Sequence, residues 1–344
     1  MKVRMACLCM MMSTAFVAHA QENTQDNLQG NGQTQSQQAG KWEEGFSGSA
    51  MLLFGVTQSN SQADSGDDTI GSLDEDGEKQ TEGFVFPIAS SDLSYTFTGG
   101  NHQVFIGTSN ADIALGRPHL QVGYGQHIDQ VGTIKLSYIP GLISSTTWQD
   151  PFLVGSKRHE TDRTIKGARL QFSEILDTGL GLEFAAGKNE IDDELSGSQY
   201  SSQVQSQLDR EGDLYYGELY YVTPVTETAL IRSSFSYLRN QANGDAMASN
   251  QYTGQIALFQ RYQQSTLTLS LKYQYAKFDE SHPLFDKVQE NDAVGLLATY
   301  TYDDIFGWQG VGVGVLAGFT EHLSNIDFYQ YESWILGTGI RYVF

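Results

Sequence analysis

The chain has two cysteines, Cys7 and Cys9, both in its opening stretch. Beyond them it lacks the thiols for a disulfide framework, a thiolate metal site or a cysteine nucleophile. Proline is equally scarce. The six residues (Pro87, Pro118, Pro140, Pro151, Pro224 and Pro283) all fall between or at the ends of strand-like segments, where no ladder N–H is needed. No apolar run approaches the roughly 20 residues of a membrane-spanning helix. Bases are few, 20 Lys and Arg against 41 Asp and Glu, for a net charge of −21. That balance excludes nucleic acid as a partner, since phosphate neutralisation needs clustered Lys and Arg.

Three segments differ in composition. Residues 1–20 carry Lys2 and Arg4, an apolar stretch from Met5 to Val17, and Ala18-His19-Ala20 as a small-x-small cleavage site. This is the pattern of a secretory signal peptide. Cys7 and Cys9 lie too early in the apolar stretch for a lipid-attachment site. Residues 21–44 are rich in Gln and Asn with hardly an apolar side chain, and are expected to form a disordered periplasmic tail. Residues 45–344 hold most of the chain's 36 Gly, 18 Tyr and 18 Phe. An exported, cysteine-free, helix-poor, Gly- and Tyr-rich chain of low mean hydropathy fits a membrane barrel, in which lipid-facing and lumen-facing residues alternate.

The alternation is visible. In 266–275, Leu267, Leu269, Leu271, Tyr273 and Tyr275 share one face, and Thr266, Thr268, Ser270, Lys272 and Gln274 the other. That is the period of a strand. Segments 311–320, 133–138, 181–186 and 120–125 repeat it. With 46–56, 88–97, 103–109, 165–172, 214–222, 229–238, 252–259, 292–302 and 333–344 they make fourteen strands, although the weaker early segments also admit twelve. Short connections, such as 99–101 and 261–264, alternate with long ones, such as 57–87, 110–118, 144–163 and 189–213. Barrels of the outer membrane have short periplasmic turns and longer external loops. The expected fold is therefore all-β: a transmembrane antiparallel β-barrel with an even number of strands and both termini periplasmic.

The last strand adds a resemblance. Phe344, Tyr342, Ile340, Leu336 and Trp334 share its apolar face. Phe344 as the final residue, Tyr342 third from last and Gly339 resemble the C-terminal signal by which bacterial outer-membrane β-barrels are recognised for assembly; Gly337 stands where that pattern usually has a polar residue. The resemblance implies the barrel-assembly machinery as a partner and the Gram-negative outer membrane as the location, with outer-membrane lipid and lipopolysaccharide around a monomer. As a whole, the chain resembles an uncharacterised gammaproteobacterial outer-membrane family of unknown function.

Strand parity assigns the interior. Lys135, Arg169, Glu183, Glu218, Arg232, Lys272 and Arg341 point into the lumen, because a charge at mid-bilayer on the lipid face costs about 2–4 kcal/mol. Arg169–Glu183 and Glu218–Arg232 lie on successive strands and can pair. Lys135, Lys272 and Arg341 are then left over, for a mixed, net basic lumen that favours anions. Tyr215, Tyr221, Tyr237, Tyr273, Tyr300, Tyr302 and Trp334 have outward parity and suit the aromatic girdles at the membrane interfaces. The external loops are acidic. Asp74, Asp76 and Glu78 around Gly77 lack the ligand spacing of a calcium-binding loop, and the segment reads as a solvated loop or a loose divalent-cation bridge to lipopolysaccharide phosphate. No cofactor or metal site is indicated.

His322-Leu323-Ser324-Asn325 resembles the His-x-Ser-Asn core of the outer-membrane phospholipase family, where Ser is the nucleophile and His the base. Here Ile326 replaces the family's next glycine, and both residues have lumen parity, whereas a lipid hydrolase needs them outside. Ser324 to Tyr329 also resembles the last hairpin of barrels that assist lipoprotein surface display, but the chain lacks their helical-repeat domain. The expected function is a narrow channel for small solutes and not an enzyme. The alternatives are a non-conducting surface-interaction barrel acting through its acidic loops and, more remotely, a lipid hydrolase.

Overall fold

The computed structural model describes residues 3–5, 41–64, 66–75, 77–108 and 119–344. The expected signal peptide and tail, apart from 3–5 and 41–44, lie outside the described residues, as does the loop 110–118.

The chain forms a closed antiparallel barrel of 14 strands. They are β1 Gly45–Ser59, β2 Gln80–Thr96, β3 His102–Gly107, β4 Gln121–Ile128, β5 in two pieces, β6 Glu160–Ser173 and β7 Leu180–Ile191. The second half comprises β8 Gly212–Thr226, β9 Ala229–Ala242, β10 Ser249–Tyr262, β11 Ser265–His282, β12 Lys287–Tyr302, β13 Val311–Ser324 and β14 Tyr331–Val343. Each strand pairs with the next, and β14 returns to β1 with Ser333 opposite Ser59 and Val343 opposite Ser49. Strands about 4.8 Å apart and tilted about 40° place the backbone on a cylinder of radius roughly 14 Å. That is too wide for side chains to fill from every wall.

The two pieces of β5 are Gly132–Ile139 and Ile143–Trp148. The first pairs with the lower half of β6 and the second with its upper half. Pro140 has no N–H for the ladder, and Gly141 takes a left-handed φ of 68°, so the strand breaks and resumes. The sequence placed a loop from Ser144 onward; Thr146 and Thr147 instead continue the wall, opposite Asp162 and Thr161. Val3–Met5 lies parallel to Ile143–Ser145.

Several strands run past the expected ends. β1 reaches Ser59 and β2 begins at Gln80, so the loop expected over 57–87 shrinks to 60–79. The girdle residues Tyr215, Tyr221, Tyr237, Tyr273, Tyr300, Tyr302 and Trp334 are exposed on the outer face.

The seam between the first and last strands depends on glycine. A Cβ at Gly55 would lie 2.1 Å from the Leu336 carbonyl oxygen and 2.7 Å from Gly337 Cα. Below them the Phe344 N–H donates to Gly48 O at 3.0 Å and the Gly48 N–H to Phe344 O at 3.1 Å. Phe344 therefore closes the ladder with its backbone, while its ring stacks on Tyr342 at 6.0 Å outside the wall. Gly55→Val should abolish the compact, heat-modifiable species on SDS gels. Gly254→Ala, at an outward position with nothing within 4 Å of the added methyl, should retain it. Equal migration of the two variants would show that the seam tolerates a side chain.

Candidate functional site

One wall of the lumen, from β6 to β10, is packed solid. Arg169 and Glu183 form a two-armed ion pair, Nε to Oε1 at 2.7 Å and Nη2 to Oε2 at 2.9 Å, with neither side chain exposed. Arg232 donates to Glu218 at 2.9 Å. Glu183 and Glu218 are direct cross-strand partners. Two carboxylates so placed repel, and an arginine for each cancels the repulsion. His119 and Gln171 complete the cluster, His119 with Nε2 2.9 Å from Arg169 Nη1 and Gln171 donating to Glu183 at 3.3 Å.

Beside this cluster the Arg232 guanidinium lies 4.3 Å over the Tyr220 ring. Tyr220 in turn occupies the space of the missing side chain of Gly181, where a Cβ would stand 2.0 Å from the ring. Tyr220 belongs to one buried apolar cluster with Leu214, Tyr216, Val222, Leu230 and Phe259. Removing one partner of such a buried pair costs about 3–5 kcal/mol, because the other charge is left uncompensated.

The wall from β12 to β14 is built differently. The inward residues of β12 and β13 include Thr299, Thr301, Gly314, Leu316 and Gly318, and all five are half-buried rather than buried. Gly337 and Gly339 continue the small-residue surface onto β14. The inward side chains of this stretch are thus mostly small and, on β12 and β13, partly solvent-exposed.

The three remaining bases differ from the expected unpaired set. Arg341 donates to Asp303 at 2.8 Å; that acid sits in the turn after β12, outside the strand parity from which pairs were sought. Lys135 stands 5.6 Å from the Trp42 ring and 5.4 Å from Phe105. Lys272 faces inward beside Gln255.

Both mouths carry structure that strand parity did not reveal. At the end where the two termini of the barrel meet, Trp42 is buried inside the wall. Its backbone N–H donates to Gly100 O at 3.0 Å, and Glu44 accepts from the Gly99 N–H at 2.8 Å. Lys41 lies 4.0 Å from Asp129. Gly125 leaves room for the indole, whose edge would be 3.1 Å from a Cβ there. A single aromatic at the end of a Gln-rich stretch was the available signal.

At the other end the loops form a folded cap. Ile70, Phe152, Leu208, Met247, Ile326 and Phe328 share one apolar core, one or more from each of five loops, and Leu284 and Phe285 pack on it from a sixth. The segment read as a solvated acidic loop thus contributes a fully buried Ile70. Arg158 is the polar keystone. It donates to Gln62 O at 2.8 Å and Pro151 O at 3.1 Å, and to Asp67 O, with its guanidinium 4.5 Å over the Trp148 ring. Burial pushes its pKa down to about 10, which leaves it charged at neutral pH. Asp150 ties two loops together by accepting from the N–H groups of Phe152, Gly197 and Ser198 at 2.7 to 2.9 Å. Burial raises the Tyr329 hydroxyl well above the usual tyrosine range, and that hydroxyl lies 3.0 Å from His282 Nε2.

His322 and Ser324 both serve this cap. His322 Nδ1 donates to Tyr329 O at 2.8 Å, its ring stacks on Tyr331 at 4.7 Å, and Ser324 Oγ accepts from the Ile326 N–H at 3.1 Å. In the acidic loop Glu75 accepts from the Gly71 N–H, and Asp68 pairs with Lys157 at 2.9 Å. Among the described residues no three His, Cys, Asp or Glu converge as a metal site.

Arg158→Ala should loosen the cap without unfolding the barrel. Limited proteolysis should then cut within 60–79 and 149–159 at least ~10-fold faster, as loss of several buried hydrogen bonds implies, while heat-modifiable migration persists. An unchanged cleavage rate would show that the apolar core alone holds the loops.

No curated protein matches the chain. Among solved structures it is similar to the outer membrane channel DcaP of Acinetobacter baumannii, at 11% identity over 88% of this chain and 99% of that one, with a TM-score of 0.46. It is also similar to the CymD monoaromatic hydrocarbon channel, at 8% identity over 88% and 89%, TM-score 0.45, and to a Pseudomonas aeruginosa FadL homologue, at 11% identity over 87% and 90%, TM-score 0.43. The model of one family, described as proteins of unknown function, matches residues 45–343, the whole barrel, and the chain belongs to that family, DUF2860.

Proposed function

We propose that the protein is a narrow channel for small solutes in the Gram-negative outer membrane, with both termini of the barrel on the periplasmic side. The observation that carries this reading is the one-sided lumen. A cylinder of roughly 14 Å backbone radius has one wall filled by paired charges and aromatics, and another, on β12 and β13, lined by Gly and Thr that stay partly solvated. A barrel meant only as a scaffold gains nothing from lining that wall with small, partly exposed residues. The partners suggested by the sequence fit this placement: lipid and lipopolysaccharide around the wall, and the assembly machinery at the Phe344 strand.

The cap favours a second reading, a closed barrel that acts through its external surface, because its apolar core covers one mouth. The two readings part on conductance. In planar bilayers the channel reading expects small, discrete steps from the wild type and larger ones after deletion of Ala63 to Glu82, which removes Ile70 and the Asp67 carbonyl that Arg158 holds. A pure, folded protein silent in both forms would contradict it. Trp42→Ala should also raise the step size, because the indole occupies the lumen at the other mouth; a step equal to the wild type's would place the constriction elsewhere.

A further inference from the structure

The outer face of β5 to β8 carries a built trough. One row of the ladder runs Tyr138, Ala168, Ala186, Tyr215 across four consecutive strands. All four side chains point outward and are exposed. Two tyrosines therefore wall a floor two strands wide, made of two methyl groups, in a girdle that elsewhere carries large side chains such as Tyr237, Tyr252 and Trp334.

Directly above the floor, toward the cap, stand Lys166 and Lys188. They are direct cross-strand partners, with side chains 44% and 68% exposed. Like charges so placed repel. Their carboxylate partners, Glu190 and Asp213, do not lie between them and the floor. Asp213 stands beside Lys188 at 3.8 Å, on the far side from Lys166. Glu190, which bonds Lys166, sits two residues farther from the floor than Lys188. An anion rising from the membrane side meets the two ammonium groups first. Lys166 is also held in place: Gly141, at the break in β5, packs on its stem, where a Cβ would stand 2.6 Å from Lys166 Cγ.

We propose that this trough binds a phosphorylated glycolipid of the outer leaflet, its phosphate monoester between Lys166 and Lys188 and an acyl chain along Ala168 and Ala186 between the tyrosines. A dianionic monoester matches two lysines, whereas the phosphodiester of an ordinary phospholipid carries one charge. The inference rests on the outer-membrane placement of the barrel and is independent of whether the lumen conducts.

The test reconstitutes the full barrel in phosphatidylcholine vesicles containing bis-phosphorylated lipid A, dephosphorylated lipid A or phosphatidylglycerol. Lipid retained after detergent extraction is then counted by native mass spectrometry. The expected result is retention of bis-phosphorylated lipid A alone. Retention should fall at least ~10-fold in Lys166→Gln/Lys188→Gln, where two charge-assisted contacts are lost. It should fall also in Ala168→Leu/Ala186→Leu, which fills the floor and keeps both charges. Heat-modifiable migration establishes that each variant is folded. Equal retention by wild type and the Gln variant, or equal retention of phosphatidylglycerol, would overturn the proposal. Density-gradient fractionation of cells reads the placement separately: an inner-membrane position would remove the outer-membrane reading whatever the vesicles show.

Discussion

Every backbone N–H and C=O inside a membrane must find its partner within the protein, and the rest of this molecule follows from that constraint. The chain meets it by returning its last strand to its first. Gly55, opposite Gly337, lets the two backbones approach, and the Phe344 and Gly48 amides complete the ladder below. Closure by 14 strands then sets a diameter that inward side chains cannot fill evenly. The sequence distributes them unevenly, with bulk and charge on one wall and glycine and threonine on the other.

The paired charges on the packed wall illustrate how burial decides their role. Arg169 and Glu183 have no exposed side-chain surface, so they act as internal cross-links rather than as groups presented to a passing ion. A buried pair adds little net stability over an apolar substitute, yet breaking it is costly. Its effect is to cross-link that wall, in contrast to the partly exposed inward residues of β12 and β13. The two mouths are then narrowed by different means: a folded aromatic from the N-terminal segment at one end, and a loop core pinned by Arg158 at the other.

Much of this was legible in the chain. Period-two alternation marks the later strands clearly, because each has one face in lipid and one in the lumen; the early ones it marks weakly enough that twelve strands are also admitted. Parity likewise places Arg169, Glu183, Glu218 and Arg232 on the inner face, and cross-strand neighbourhood suggests their pairing. What escaped was the second piece of β5, several strand ends, and the contacts made from outside the strands. Asp303 reaches Arg341 from a turn, and Trp42 enters the lumen from a segment whose composition reads as a tail. The cap could not be read because its apolar residues, such as Ile70, Phe152 and Leu208, are scattered singly through polar loops and carry no period. Tertiary contact alone gathers them.

The absence of cysteine beyond residue 9 allows the central claim, a lumen open along one wall, to be measured directly. Single cysteines at Thr299 on the Gly- and Thr-lined wall and at Ala257 on the packed wall, both inward-facing, are exposed to a small, charged, membrane-impermeant thiol reagent in the folded barrel. The account predicts rapid labelling at position 299 and slow labelling at 257, with heat-modifiable migration kept in both. Equal rates at the two positions would contradict it.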